Sequence, residues 1–325
     1  MRRLRWHLRC IAALCSSYVL GSAAVIRLLG RLNRLLGRPI ATVFLFYPVS
    51  QPWADAVCYR WHQRRFSWQP GLIGVLRQRG RFGLSFGIPN VEAQIKDEAN
   101  AAEVARLKQR LETIRTDLDA EHKTFAGILP TTFARHGIED EDVVIQRNLT
   151  ARAVLAALDR VIGLHWLSPR VQVLVLGGRG YIASEVLRLA EGRTITSVDV
   201  GEFEQFEAFV AAHRGQPLIV VNLSRSGVLA EYLSHFWPGV IVLNEVYPEP
   251  TRDELEILER LGLTCHHIAG VKGEAWPPFP RAYRRGIPCC AALPLGPDDR
   301  VEVVVVQLCG PPPSMVRRPS PEGRM

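Results

Sequence analysis

The stretch Val171–Asp199, VQVLVLGGRGYIASEVLRLAEGRTITSVD, constrains the fold more than any other. Val171 to Leu176 is almost wholly apolar, as a strand buried on both faces of a parallel sheet requires. Gly177, Gly178 and Gly180 follow at once, and Ile182, Val186, Leu187 and Ala190 then fall at helical spacing. A second β-rich run, Thr194 to Val198, ends at Asp199. Strand, glycine turn, helix and strand in this order require a parallel crossover unit.

Within that unit Gly178-Arg179-Gly180-Tyr181-Ile182-Ala183 reads G-x-G-x-x-A, with Asp199 about 20 residues further on. One glycine makes the tight turn, and the next lets backbone N–H groups approach a pyrophosphate. The small Ala183 lets the helix pack close to the strand, and the helix N-terminus adds partial positive charge. A carboxylate at Asp199 accepts hydrogen bonds from a ribose diol and repels a 2′-phosphate, so NAD is expected ahead of NADP. An ordinary tight turn between strand and helix is the alternative reading.

The remainder of the chain repeats the rhythm. Leu218 to Leu223, Val240 to Asn244 and Thr264 to Ala269 read as further parallel strands, separated by helices at Phe203–Ala212, Val228–His235 and Thr251–Leu261, and Val301–Leu308 as a late one. The expected architecture is α/β: a doubly wound parallel Rossmann-type sheet with an N-terminal α/β domain. In that domain Ala41–Tyr47 and Arg81–Gly87 read as strands, while residues 53–80 show no clear period. Asn100 with Glu103 looks like a capping box, opening a helix with Val104, Leu107, Leu111, Ile114 and Leu118 on one face. Val143–Gln146 reads as a short strand, and Asn148-Leu149-Thr150 as the cap of a bridging helix to Ile162. The expected divisions are a leader over 1–40, a substrate or partner domain over 41–165, the nucleotide domain over 166–309 and a disordered Pro-rich tail over 310–325.

The net charge of +8 belongs to the leader: residues 1–38 hold eight arginines and no acid. A basic groove for nucleic acid is therefore not expected. Cys10–Ile26 is uncharged but short for a membrane span, and RLLGRLNRLLGR alternates leucine and arginine at helical spacing. A membrane-surface helix, a soluble helix pair and a signal or anchor segment stay open, the first favoured. Seven cysteines without a C-x-x-C pair suit a reducing compartment, so a cytoplasmic protein, peripheral at the inner face of a membrane, is expected. Homo-oligomerisation stays open.

The order GGRGYIA, VVNLSRSGV, VIVLNEVYPEPT and HHIAG resembles the shikimate-dehydrogenase-like family. In that family the third strand ends in an N-A-T-P-S-G turn beside the nicotinamide, matched here by Asn222, Ser224 and Gly227, and the next runs into a V-Y-x-P turn, matched by Val246, Tyr247 and Pro248. Asn148-Leu149-Thr150 also resembles the N-T-x-T-A opening of long-chain acyl-carrier-protein reductases. The resemblance covers roughly residues 140–275 and implies an NAD(P)-dependent oxidoreductase acting on a small or lipid-like carbonyl or alcohol. Three signatures depart from it. Leu149 and Thr150 stand where shikimate dehydrogenases carry a catalytic aspartate, their S-L-S-P substrate signature is absent, and Gly273-Glu274-Ala275 stands where the acyl reductases carry a cysteine. A catalytically inactive nucleotide sensor or scaffold is the alternative.

Proton-transfer candidates are Lys123, which a desolvated cleft would tune toward neutrality, and Lys272 after the last parallel strand. Cys289 and Cys290 could supply a thiolate, although inert buried thiols are the commoner case. Cys265-His266-His267 with Cys289 fits no closed metal-site spacing, so no metal is expected.

Overall fold

The computed structural model describes residues 2–138, 140–280, 283, 286–296 and 299–312. The chain divides into two compact units. One comprises Met1–Gln146 with the returning segments Gly273–Phe279 and Ile287–Asp298; the other comprises Arg147–Lys272, Pro280–Gly286 and the chain from Asp299.

The first unit is built on strands β1 (Ile40–Phe46), β2 (Gly71–Gln78), β3 (Arg81–Gly87) and β4 (His122–Phe125). β1 lies between β3 and β4 and runs parallel to both, while β2 and β3 form an antiparallel pair. The short strand Glu274–Trp276 adds antiparallel to β2. All five inner residues of β1 are buried, which is why ATVFLFY reads as an unbroken apolar run.

The second unit carries β5 (Gln172–Leu176), β6 (Ile195–Val198), β7 (Leu218–Asn222), β8 (Ile241–Asn244) and β9 (Thr264–Lys272). Their spatial order is β6-β5-β7-β8-β9 and every pair is parallel. A last strand, Val303–Cys309, runs antiparallel to β9. The expected doubly wound α/β sheet is present. Its order reverses between β5 and β7, the topological switch point beyond whose strand ends ligand crevices lie in folds of this class. One face is filled by Leu174, Leu176, Phe206, Val220, Tyr232 and Val242, so the strand ends are set by a well-packed core.

Several local expectations need correction. Val143–Gln146 is not a strand but lies in the helix Glu141–Leu164. Val143 and Gln146 are buried while Val144 and Ile145 are exposed, a spacing that belongs to a helix and not to an alternating strand. Asn148 consequently sits within that helix and does not cap it. Asn100 forms no capping box; its side chain donates to the Gln94 carbonyl at 3.0 Å. The featureless region 53–80 contains two short helices and β2. The division between units falls at Gln146/Arg147, not near residue 165, and the second unit is interrupted where the chain returns to the first.

The expected leader over 1–40 is part of the first unit. Helix Ala23–Leu35 packs so tightly on helix Ala101–Leu118 that a Cβ on Gly30 would lie 1.8 Å from the Asp117 carbonyl oxygen. Asn33, buried, donates to the Ile40 and Leu118 carbonyls at 3.0 and 2.9 Å and accepts from the Ile40 amide at 2.7 Å. The part of the expected tail beyond residue 312 lies outside the described residues.

Candidate functional site

The glycine turn sits at the end of β5. Gly177, not Gly178, takes the left-handed backbone, with φ +87°. A Cβ there would lie 2.8 Å from Ser224 Cα and 3.0 Å from Ser224 N, because the loop after β7 passes directly against it. Gly178 is needed for a different reason: a Cβ on it would meet the Ser197 side chain on β6 at 2.7 Å. Gly180 ends the turn, and helix Tyr181–Leu189 starts without a side-chain cap. Its first N–H groups are therefore unclaimed by a capping side chain. Ala183 is fully buried, as close packing of helix on strand requires, whereas Tyr181 and Ile182 are half-buried.

Asp199 follows β6 immediately. Its amide donates to Glu202 Oε2 at 2.9 Å, but its carboxylate makes no hydrogen bond or ion pair among the described residues. Arg179, the basic residue within the turn, pairs with Glu202. Two acids, Asp199 and Glu202, thus stand at the end of β6, and Arg179 is engaged with Glu202 at the exposed surface.

The ends of β7, β8 and β9 carry a lateral polar array. Asn222, Asn244 and His267 stand side by side in register, and all are buried. Ser224 Oγ donates to Asn222 Oδ1 at 2.5 Å, and Asn222 Nδ2 donates to Asn244 Oδ1 at 2.8 Å. Asn244 Nδ2 lies 2.8 Å from the Val246 carbonyl and 3.1 Å from His267 Nδ1. Gly227, with φ +85°, closes the loop after β7. Glu245 extends this array by one residue. Its amide donates to the Asn222 carbonyl at 3.2 Å, and burial pushes its carboxyl up to about 7. A carboxyl group that titrates near neutrality at the strand ends suits proton transfer.

Sequence reasoning missed Glu245 and Arg147. Glu245 follows an apolar strand as any loop acid would, and only the surrounding packing distinguishes it. Arg147 lies with its guanidinium carbon 4.6 Å from the Tyr181 ring centroid and donates to Ser184 Oγ at 2.7 Å, beside the first turn of the helix. Asn148, next to it, donates to Glu185 at 3.0 Å, so the Asn-Leu-Thr segment ties two helices together.

Lys123 and the glycine turn belong to different units. Lys123 is buried on β4, with Nζ 2.8 Å from Glu112, 3.1 Å from Asp140 and 3.0 Å from Asp142. The expected tuning toward neutrality is reversed. Burial alone would lower its pKa, but hydrogen bonds to Glu112 and Asp142 and the charges of Asp142 and Asp140 outweigh that and raise it. Lys123 is a fixed ammonium lining an open cavity of 780 Å³ within the first unit. Lys272 is exposed and pairs with Glu302 at 2.8 Å, a surface arrangement with no tie to the array. Cys289 is buried and Cys290 half-buried. Cys265 stands opposite Cys309, His266 Nε2 lies 2.7 Å from His165 Nε2, and His267 meets Asn244, so these residues point to separate partners. Among the described residues no group of three or more such side chains converges as a metal site would require.

No family model and no curated protein matches the chain. Solved structures resemble it only distantly. L-tryptophan dehydrogenase from Nostoc punctiforme is 14% identical, with 69% of this chain and 68% of that one covered at a TM-score of 0.29. A dipicolinate synthase chain from Bacillus halodurans is 10% identical over 69% and 88%, also at 0.29. Phosphoglycerate oxidoreductase from Vibrio cholerae is 14% identical over 70% and 90%, at 0.24.

Proposed function

We propose that the protein is a nicotinamide-dependent oxidoreductase that prefers NAD to NADP and acts on a small or lipid-like carbonyl or alcohol. The observation that carries this reading is the set of residues at the β5/β7 switch point. There an uncapped helix N-terminus follows a glycine turn that admits no Cβ at Gly177, and the unpartnered Asp199 carboxylate closes the far end. These residues fit a dinucleotide: backbone N–H groups of the Gly178–Ile182 turn for the pyrophosphate, Arg147 beside them, and Asp199 for the ribose. When bound, the nicotinamide supplies the hydride chemistry. The chain supplies the rest. Ser224, Asn222, Asn244 and His267 form a rigid polar floor for the ring-binding end, and the Glu245 carboxyl gives or takes the proton at the reacting oxygen. The fixed charge of Lys123 makes it a worse proton carrier than Glu245, and Lys272 is committed to the surface.

Calorimetric titration tests the placement of the ribose. Asp199→Ala should weaken NAD by roughly 1–3 kcal/mol, the scale of hydrogen bonds to a charged group, and narrow the gap to NADP. Equal NAD binding by wild type and variant would show that the acid lies outside the site.

A further inference from the structure

The two N-terminal helices carry a surface that the crevice does not use. On helix Arg2–Cys15, Leu4, Leu8 and Ile11 repeat at spacings of four and three and all are exposed. On helix Ala23–Leu35 the same spacing sets out Leu28, Leu32 and Leu35, with exposures from 45% to 81%. Between them the exposed Tyr18, Val19 and Leu20 continue the apolar run through the turn. The opposite faces are the ones that pack inward, through Cys10 on the first helix and Ile26, Gly30 and Asn33 on the second. Each helix thus has a separate inner face, and the stripes lie outside the core.

Cations accompany these stripes. Arg3, Arg9, Arg31 and Arg34 are exposed and make no ion pair among the described residues, and no acid occurs in residues 1–38. Trp53 and Trp61 are also exposed, on short helices of which the first receives the Trp6 indole N–H at the Asp55 carbonyl, 2.8 Å away. Exposed leucines, tryptophans and arginines together have the composition of a surface that enters the headgroup layer. The helix axes bend by 73° at the turn, and among the described residues no single helix is long and apolar enough to cross a membrane.

From these features we infer that the N-terminal helix pair is a docking surface for anionic lipid bilayers, lying in the interface with its leucines in the acyl boundary. An anionic bilayer is the partner that answers both features, apolar stripes and unopposed arginines. A protein partner would meet the leucines but needs its own acidic rim. This inference does not depend on the cofactor reading. It also means that the surface cannot be cut away, because Gly30 and Asn33 bind the second helix into the first unit.

The test is cosedimentation of the full chain with two kinds of vesicle. One is phosphatidylcholine alone, and the other adds about 30% phosphatidylserine to give the negative surface of a cytoplasmic leaflet. Partitioning should be about tenfold or more stronger on the anionic vesicles and should weaken at high salt. Leu4→Ser with Leu8→Ser, Leu32→Ser with Leu35→Ser, and Arg9→Gln with Arg31→Gln and Arg34→Gln should each reduce it, while melting temperature stays within error of wild type. Quenching of tryptophan fluorescence by brominated acyl chains should occur in wild type and provides a readout without substitutions. Absence of anionic-vesicle binding, equal binding by all variants, or a wild-type dimer that the leucine variants turn into monomer would overturn the inference, the last because it would show a second copy covering the face.

Discussion

Gly177→Ala combines two penalties that can be separated. The residue has φ +87°, where a Cβ costs roughly 1–2 kcal/mol from its own backbone. The added methyl would also lie 2.8 and 3.0 Å from backbone atoms of the loop after β7, and backbone cannot rotate away. Overpacking of this kind costs typically about 1–3 kcal/mol. The total is about 2–5 kcal/mol. Gly192 provides the control, since its φ is +84° and a Cβ there meets nothing within 4 Å. Gly192→Ala should show the backbone penalty alone. At roughly 2–4 °C per kcal/mol for a domain of this size, Gly177→Ala should melt about 2–12 °C below Gly192→Ala in scanning calorimetry. It should also lose cofactor affinity, because the displaced Ser224 loop and the helix N-terminus form the crevice. Equal melting temperatures would mean that the two loops do not press together and that the crevice is differently shaped.

Glu245→Gln should flatten a pH slope. The folded carboxyl titrates at about 7, above its ordinary value, so the folded protein keeps a proton that the unfolded chain releases from about pH 4.5 upward. Stability from this group is full below that pH and falls as pH rises to about 7, by at most about 3 kcal/mol, and the glutamine variant should lack the fall in urea titrations. If Glu245 moves the proton, turnover should drop by about 10²-fold or more and lose its limb near pH 7; a retained limb would exclude it. Lys123→Met should destabilise the first unit toward the lower end of about 3–5 kcal/mol, since the Glu112 side chain is 41% and that of Asp142 13% exposed and only Asp140, at 2%, is closed to solvent. In the wild type, hydrogen bonds from Arg115 and then Lys123 hold Glu112 down at about 2, and those from His122 and Lys123 outweigh burial to hold Asp142 below its ordinary value. That pairing is present above the ordinary carboxyl range and lost as pH falls through the lowered folded values, so the gap between variant and wild type should shrink as pH falls from about 4.5 toward about 2; a constant gap would contradict the ion-pair account.

The parallel sheet of the second unit was legible because its signals are local. An apolar run, a glycine cluster and an acid at fixed spacing need only short-range geometry, and Val171–Asp199 folds as its pattern implies. The role of each glycine was less so, since Gly177 meets Ser224 across 47 positions of sequence, and only the sheet order brings them together. Val143–Gln146 misled because four residues are too few to separate a period of two from one of 3.6. Lys123 misled for a different reason. Burial was foreseeable, but its three carboxylate partners come from two other segments, and their charge reverses the direction of the shift. Glu245 carries no motif, and only packing at the end of β8 marks it.

The measurement that bears most directly on the central claim is a titration of the wild-type protein with NAD, NADH, NADP and NADPH in the calorimeter at low salt. Binding of NAD or NADH, with the phosphorylated forms weaker because the Asp199 carboxylate proposed to hold the ribose would repel a 2′-phosphate, is the predicted result. Failure of all four to bind, or a preference for NADPH, would contradict the assignment of the β5/β7 crevice as a nicotinamide-dinucleotide site.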